Sequence, residues 1–200
     1  MSTHLGTIQR RIETLLVEFK RSRNIWQELN TEGLPAASKL VNSVIQSRYS
    51  DDLAYWHPSL QKEFPNIIKK YEHKMNKLIE QDYIKISVIL ERMAKQYAKM
   101  VTFAQEFIAI EKRASEVLEN VEIPIFRTCP IHVFVKRTSD VVAMYAKELA
   151  LKKRLVEHGF KQISSQENGM SLLSVWLNQP TLYDHVIQEF DDICQVELDS

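Results

Sequence analysis

The feature that most constrains the fold is a segment from residue 66 to residue 118 that contains neither proline nor glycine. Its apolar residues recur at alternating steps of four and three, which is the spacing of a helix that packs along one seam. These residues are Ile79, Tyr83, Ile86, Leu90, Met93, Tyr97, Met100, Ala104 and Phe107. At 1.5 Å per residue one helix over this span would be about 80 Å long. The segment predicts a long central, coiled-coil-like helix that either breaks once or forms the spine of an elongated bundle.

Four apolar residues of the same segment, Ile84, Val88, Ile89 and Ile108, fall outside the strict seam. The apolar surface is therefore wider than two helices need, so a third helix or a partner chain must cover the rest. Two readings stay open. Either the seams are intramolecular core, or part of a seam pairs with a helix from another protein.

Residues 1–48 predict N-terminal helices. The apolar residues of the first helix are Leu5, Ile8, Ile12, Leu15, Phe19, Trp26 and Leu29, with Ser22 in the one gap. Gly33 followed by Pro35 predicts that this helix stops there, since glycine and proline favour helix ends. A second, shorter helix then carries Leu40 and Val44 on one face.

Residues 49–65 lose the helical periodicity and contain Pro58 and Pro65, so they predict a connector with Tyr55, Trp56 and Phe64 packed inward. Residues 66–118 are the long central helix. Residues 119–130 predict an extended segment, because proline fixes its own φ and restricts the residue before it.

Residues 131–200 predict the C-terminal helices. The first ends at Gly159, a short one ends at Pro180, and Thr181 with Asp184 resembles a capping box for the last. The fold class is all-α, an elongated helical bundle, and residues 1–200 are expected to form a single helical domain.

Composition and charge exclude several classes of protein. The 26 basic residues equal the 26 acidic ones, which argues against direct nucleic-acid binding through a general positive charge. No run approaches the roughly 20 apolar residues of a membrane span, and the amino terminus lacks the pattern of a secretory signal. The two cysteines, Cys129 and Cys194, predict reduced thiols in a nuclear or cytoplasmic protein.

Catalytic and ligand-binding motifs are missing from the sequence. The four glycines stand alone, so no phosphate-binding loop is predicted, and no nucleophile or zinc-protease motif occurs. No two of the six histidines lie three or four residues apart, as a helical metal pair requires. We expect no enzyme activity, no cofactor and no metal.

Four separate blocks of sequence carry a resemblance to a known family. They are Trp26-Gln27-Glu28-Leu29-Asn30-Thr31-Glu32-Gly33, then Pro124-Ile125-Phe126-Arg127-Thr128-Cys129-Pro130 with Met144-Tyr145-Ala146-Lys147-Glu148-Leu149-Ala150-Leu151-Lys152-Lys153, then Ser174-Val175-Trp176-Leu177-Asn178-Gln179-Pro180. The order, spacing and residues of these blocks resemble the family of the cyclin-dependent-kinase-2-interacting protein. Between about residues 50 and 118 only helical periodicity is shared. Cys129 departs from the pattern, because the family usually has tryptophan there.

The resemblance implies a non-catalytic adaptor or scaffold subunit. Proteins of this family are linked to cyclin-dependent kinase 2, to replication and checkpoint factors, and to an AAA+ ATPase of the spermatogenesis-associated-protein-5 type. In that complex they sit beside a second small helical subunit, and the assembly serves late ribosome maturation and protein extraction at replication forks.

The candidate partner-binding residues are Phe126, Tyr145, Lys147, Leu149, Lys152 and Trp176. Phe126 and Trp176 are large rings that serve equally well as interface anchors or as lids on a bundle. Tyr145 and Leu149 form a stripe that faces the core. Lys147 and Lys152 are expected on the outer side, against an acidic surface of a partner or the acidic last helix.

Two other functions remain open at this point. A structural coiled-coil tether would self-associate through the seam from Ile79 to Phe107. A small helical nucleic-acid-binding protein would use the basic cluster from Lys147 to Arg154, and its binding would depend steeply on salt.

Overall fold

In a computed structural model, which describes residues 2–117 and 123–198, every long element is an α-helix. The six α-helices of the described residues are α1 (Ser2–Ser47), α2 (Pro58–Glu63), α3 (Ile67–Val117), α4 (Ile131–Glu157), α5 (Gln166–Asn178) and α6 (Asp184–Leu198). No strand occurs in these ranges. The all-α prediction is confirmed.

The long central helix is also confirmed. α3 runs for 51 residues without an interruption, because no proline or glycine weakens it and its seam is buried at regular intervals. Ile86, Met93, Met100 and Phe107 on that seam are fully buried.

The predicted helix end at Gly33 and Pro35 is wrong. α1 continues through Pro35 for 46 residues, so the second helix is its continuation. A proline inside a helix costs about 3 kcal/mol, but Leu29 and Leu40 are buried on either side of it. Burial of such side chains contributes about 1.5–3 kcal/mol each, which offsets the cost of the proline.

The inward packing predicted for the connector is wrong for two of its three rings. Tyr55 is 62% exposed and Phe64 is 54% exposed, whereas Trp56 is half-buried. Two 3₁₀ turns (Arg48–Ser50 and Leu53–Tyr55) and the short α2 fold this segment locally. The rings consequently pack on near neighbours, as Tyr55 does on Tyr49 with ring centres 4.5 Å apart.

The chain divides into two compact units that both draw on α1, α3 and α4. Unit 1 consists of Met1–Gln27, Ala94–Leu149 and Pro180–Ser200, and unit 2 consists of Glu28–Met93 and Ala150–Gln179. That residues 1–200 form a single domain stays a prediction.

Each unit has its own apolar core. Core residues of unit 1 include Ile12, Leu15, Phe19, Trp26, Met100, Phe107, Phe134, Val141, Tyr145 and Phe190. Core residues of unit 2 include Leu29, Leu40, Val41, Met75, Ile86, Met93, Val156, Phe160, Ile163 and Trp176.

The extended conformation predicted for residues 119–130 is wrong for residues 123–130, and residues 119–122 lie outside the described residues. The backbone bends at residues 125–128, and the Ile125 amide N–H donates a 3.0 Å hydrogen bond to the Cys129 carbonyl oxygen. The Ile125 side chain is buried, so the prolines frame a closed loop whose apolar residue points into unit 1.

Candidate partner-binding surfaces

Unit 2 contains a buried lysine, Lys152 of α4, that is hydrogen-bonded to α1 and α5. The Nζ atom of Lys152 donates hydrogen bonds to Asn30 Oδ1 at 2.6 Å and to the Trp176 carbonyl oxygen at 2.8 Å. The Trp176 indole N–H donates to the Asn30 carbonyl oxygen at 3.2 Å. A Cβ atom on Gly33 would lie 2.5 Å from Cζ2 of the same ring. We call Asn30, Gly33, Lys152 and Trp176 the Lys152 cluster.

The outward position expected for Lys152 is therefore wrong, since this residue and Trp176 are both fully buried. Buried charge is tolerated when its donors are satisfied, and Asn30 from α1 and Trp176 from α5 supply the acceptors. The Lys152 cluster draws one or two residues from three of the four blocks that carry the family resemblance. Asn30, Gly33, Lys152 and Trp176 of these blocks therefore meet inside unit 2.

Tyr145 and Leu149 are buried in unit 1, as the stripe that faces the core predicts. The Tyr145 ring meets the Trp26 ring edge-on, with centres 5.1 Å apart. Burial raises the pKa of the Tyr145 hydroxyl to about 12, so this residue stays neutral and acts as packing.

Lys147 and Phe126 are the candidate residues that retain solvent access. Lys147 is exposed, and Phe126 is half-buried with its ring centre 5.9 Å from that of Phe134. A partner-binding role for the six candidate residues stays a prediction. The accessible surface that such a role needs is present at Lys147 and on part of Phe126.

The predicted capping box at Thr181 does not form. α6 begins at Asp184, and Thr181 instead binds Glu148 of α4: its hydroxyl donates to Oε2 at 2.7 Å and its amide N–H at 3.2 Å. Glu148 is fully buried. Thr181, which the sequence spacing predicted as the N-cap of the last helix, therefore donates its hydrogen bonds to a buried carboxylate.

A second carboxylate holds the 123–130 loop in unit 1. Glu197 of α6 accepts backbone hydrogen bonds from Arg127, Thr128 and Cys129 at 3.0 to 3.2 Å and a further one from the Thr128 hydroxyl. Burial by itself would raise the pKa of Glu197, but these hydrogen bonds outweigh it and lower the pKa to about 2. The carboxylate is thus ionised and joins the end of α6 to the loop.

Cys129, which replaces the family tryptophan, borders an open groove of about 500 Å³. Ile193 and Val196 of α6 line the same groove, and Val196 is 58% exposed. Burial raises the pKa of the Cys129 thiol, so the thiol is neutral. The small side chain leaves apolar atoms of α6 uncovered where a larger ring would reach them.

The acidic last helix is partly neutralised inside unit 1. Asp191 pairs with Arg23, whose guanidinium carbon lies 5.7 Å from the centre of the Phe19 ring and 5.6 Å from that of the Phe190 ring. Glu189 pairs with Arg137 at 2.5 Å. Two of the five acidic residues of α6 therefore have arginine partners within unit 1. Sequence reasoning missed both pairs because the partners are far apart along the chain.

A groove in unit 2 retains exposed apolar side chains. Ile84 and Val88 of α3 are 55% and 50% exposed, whereas Ile89 beside them is buried. We call this the Ile84–Val88 groove. It has a volume of about 460 Å³ and is lined by Glu32, Pro35, Ala36, Lys39, Ile84, Lys85, Val88, Ile89 and Arg92.

The sequence singled out Ile84 and Val88 as off-seam residues but missed the α1 wall of the groove. Pro35, Ala36 and Lys39 were assigned to a helix stop and a separate short helix. A continuous α1 is what places them opposite α3.

Neither a membrane span nor a metal centre is found in the part of the chain that the structure describes. No helix within residues 2–117 and 123–198 is both long and apolar enough to cross a membrane. No three histidine, cysteine, aspartate or glutamate side chains in these ranges are grouped as metal ligands would be.

The fold and these surfaces define an all-α protein with buried hydrogen-bonded polar clusters and an uncovered apolar groove on α3. Comparison with known proteins agrees with the resemblance seen in the motifs. The chain is 27% identical over 164 residues to the cyclin-dependent kinase 2-interacting protein of Xenopus laevis, covering 80% of this chain and 75% of that protein. It is similar to the Homo sapiens protein of the same name at 27% identity, covering 78% and 73%.

The Bos taurus protein of that name is 26% identical over 169 residues, covering 78% and 74%. No family model matches the chain. The resemblance to the family of the cyclin-dependent-kinase-2-interacting proteins is confirmed by these three relatives.

Proposed function

We propose that this chain is a non-catalytic adaptor that holds protein partners on its long helix. One observation carries the proposal: Ile84, Val88 and Ile108 of α3 remain half exposed after the chain has folded. Exposed isoleucine and valine on a helix that already packs along its seam favour burial against another protein. Val88 follows Ile84 by one helical turn, so these two present a continuous apolar ridge.

The names of the relatives support a protein–protein role. Each is named for interaction with cyclin-dependent kinase 2, and we propose this kinase as one partner of the present chain. From the family resemblance we further propose an AAA+ ATPase of the spermatogenesis-associated-protein-5 type and a second small helical subunit. The processes served would be ribosome maturation, DNA replication and its checkpoint, in the nucleus, the cytoplasm or both.

The proposed mechanism is mechanical. The chain holds a helical partner along α3, and the pair docks on the regulatory region of the ATPase. A near-neutral protein with apolar ridges suits a stable subunit interface, because apolar burial does not weaken with salt as phosphate contacts do.

The test is affinity purification of the full chain from cells followed by mass spectrometry, with the tag alone as the control. We expect the kinase, or the ATPase with a second small helical protein, in amounts comparable to the bait. Analytical sedimentation of the purified chain runs in parallel. Recovery of no partner together with self-association would contradict the adaptor and favour a coiled-coil tether.

Salt dependence tests the nucleic-acid alternative. Binding of DNA or RNA to the purified chain is measured between about 50 and 200 mM salt, where a protein with several phosphate contacts loses orders of magnitude in affinity. For an adaptor we expect no such binding. Tight binding with a steep salt slope would overturn the proposal.

A further inference from the structure

We infer that the Ile84–Val88 groove of unit 2 holds an amphipathic helix of a partner protein whose apolar stripe is flanked by aspartate and glutamate. This inference rests on the proposed adaptor function and names the surface and the chemistry of the partner. Two observations support it: the shape of the groove fits a helix, and the basic rim of the groove favours acidic residues on that helix.

The shape fits one more helix. Ile84 and Val88 form a ridge on α3, and the facing wall on α1 consists of the small side chains of Pro35 and Ala36. Small residues let a third helix approach closely, and its side chains at positions i, i+3 or i+4, and i+7 would meet the ridge. The groove volume of about 460 Å³ accommodates several aliphatic side chains.

The rim of the groove is mainly basic. Lys39, Lys85 and Arg92 surround the apolar floor, and Glu32 is the one acidic residue that lines it. Glu32 pairs with Arg92 at 2.7 Å. No carboxylate of the described residues lies within ion-pair distance of Lys39.

The charge of Lys85 is partly neutralised by Asp82. Its Nζ atom lies 2.9 Å from Oδ1 of Asp82, and Asp82 is buried and also accepts a hydrogen bond from Ser43. The net positive rim that remains favours acidic flanks on the occupant, because complementary charge sets partner choice and register. A helix with basic flanks would meet like charge on both sides.

The acidic helix of a second copy is a poor occupant. The α6 residues Glu189 and Asp191 are paired with Arg137 and Arg23 in unit 1, and Phe190 between them is buried there. To occupy the groove of another copy, α6 would have to give up these contacts. A separate protein incurs no such cost.

Crosslinking in cells tests the identity of the occupant. A photoreactive amino acid replaces Val88 in the full chain, and mass spectrometry identifies the segment to which it attaches. The expected adduct is a segment of another protein with apolar residues at helical spacing and acidic flanks. A segment of this chain itself, a segment with basic flanks, or no adduct would overturn the inference.

Peptide binding tests the charge preference. The probes are two fluorescent helical peptides with the same leucine positions, one flanked by glutamate and the other by lysine. We expect the purified chain to bind the glutamate peptide at least tenfold more tightly. Equal affinity for the two peptides would refute the charge argument.

Variants of the groove locate that binding. Val88→Asp is expected to weaken binding of the glutamate peptide at least tenfold, whereas Ile108→Asp, a matched half-exposed residue of α3 in unit 1, changes it less than twofold. Reversal of two of the three basic rim charges, Lys39→Glu with Lys85→Glu, is expected to invert the peptide preference. Lys39 and Lys85 are exposed, and Asp82 keeps its hydrogen bond from Ser43 when Lys85 is replaced, so this variant is expected to fold even if Val88→Asp does not. Unchanged peptide preference in the folded double variant would overturn the inference.

Affinity purification separates this inference from the proposed function. If the wild-type chain recovers its partners and the Lys39→Glu, Lys85→Glu variant recovers them equally, the adaptor stands and the groove assignment fails. If the wild-type chain recovers no partner, the adaptor itself fails.

Discussion

The Nζ atom of Lys152 lies 4.1 Å from the centre of the Trp176 ring and 2.8 Å from the carbonyl oxygen of the same residue. One lysine thereby holds both the ring and the backbone near the C-terminal end of α5. The ring in turn fills the space that Gly33 leaves on α1. Lys152, which was expected on the surface, is thus one of the buried residues that hold α1, α4 and α5 together in unit 2.

Replacing Lys152 by methionine is expected to lower the free energy of unfolding by about 3 kcal/mol, because Asn30 Oδ1 and the Trp176 carbonyl each lose a charged donor. The matched control is Lys147→Met, an exposed residue on the same helix, for which a change within about 0.5 kcal/mol is expected. Urea unfolding followed by circular dichroism measures both. Equal stability of the two variants would show that the buried ammonium does not hold the Lys152 cluster.

Gly33→Ala is expected to destabilise the chain by about 2 kcal/mol. Alanine favours a helix over glycine by about 1 kcal/mol, but its Cβ atom would lie 2.5 Å from the Trp176 ring, and overpacking of this kind costs 1–3 kcal/mol or more. The control is Gly6→Ala, where no atom lies within 4 Å of the added Cβ. For Gly6→Ala we expect the free energy of unfolding to rise by about 0.5 kcal/mol. If Gly33→Ala and Gly6→Ala both raised the melting temperature, the packing role of Gly33 would be contradicted.

Glu197→Gln is expected to lower the free energy of unfolding by about 2 kcal/mol at pH 7, the scale of hydrogen bonds to a charged group. The pKa of Glu197 is depressed from an ordinary value of 4.5 to about 2 in the folded chain. Its contribution is therefore complete above about pH 4.5 and is lost as pH falls from there towards 2. The difference between wild type and variant should shrink over that window.

The control for this prediction is Glu72→Gln, an exposed carboxylate of α3. Its effect on urea unfolding is expected to stay within about 0.5 kcal/mol at pH 7. If Glu197→Gln behaved like Glu72→Gln, the hydrogen bonds from the 127–129 backbone would not stabilise the fold.

Cys129→Trp is expected to raise the melting temperature by about 3 °C. A ring at this position can cover Ile193 and Val196 in the adjoining groove, and burial of about 50 Å² of apolar surface contributes roughly 1 kcal/mol. Cys129→Ala keeps the backbone hydrogen bond to Glu197 without adding a ring, so no gain is expected. A drop in melting temperature for Cys129→Trp alone would mean that the groove does not accept the ring.

Helix content and the family resemblance were predictable from the residues themselves. The alternating apolar spacing and the absence of proline and glycine predicted α3, and Gly159 and Pro180 correctly placed the ends of α4 and α5. The off-seam positions of Ile84 and Val88 also predicted exposed apolar surface. These features depend on local spacing, which one chain displays directly.

Two outcomes depended on tertiary contacts that the local sequence does not show. α1 passes through Pro35 because Leu29 and Leu40 are buried on both sides of it. Lys152 is buried because Asn30 and the Trp176 carbonyl accept its hydrogen bonds. A local preference is worth tenths of a kcal/mol to about 3 kcal/mol, and several buried side chains or a satisfied charge outweigh it. The sequence by itself determined most of the helices and the family that the chain resembles, whereas tertiary packing decided which polar groups are buried and which apolar groups stay exposed.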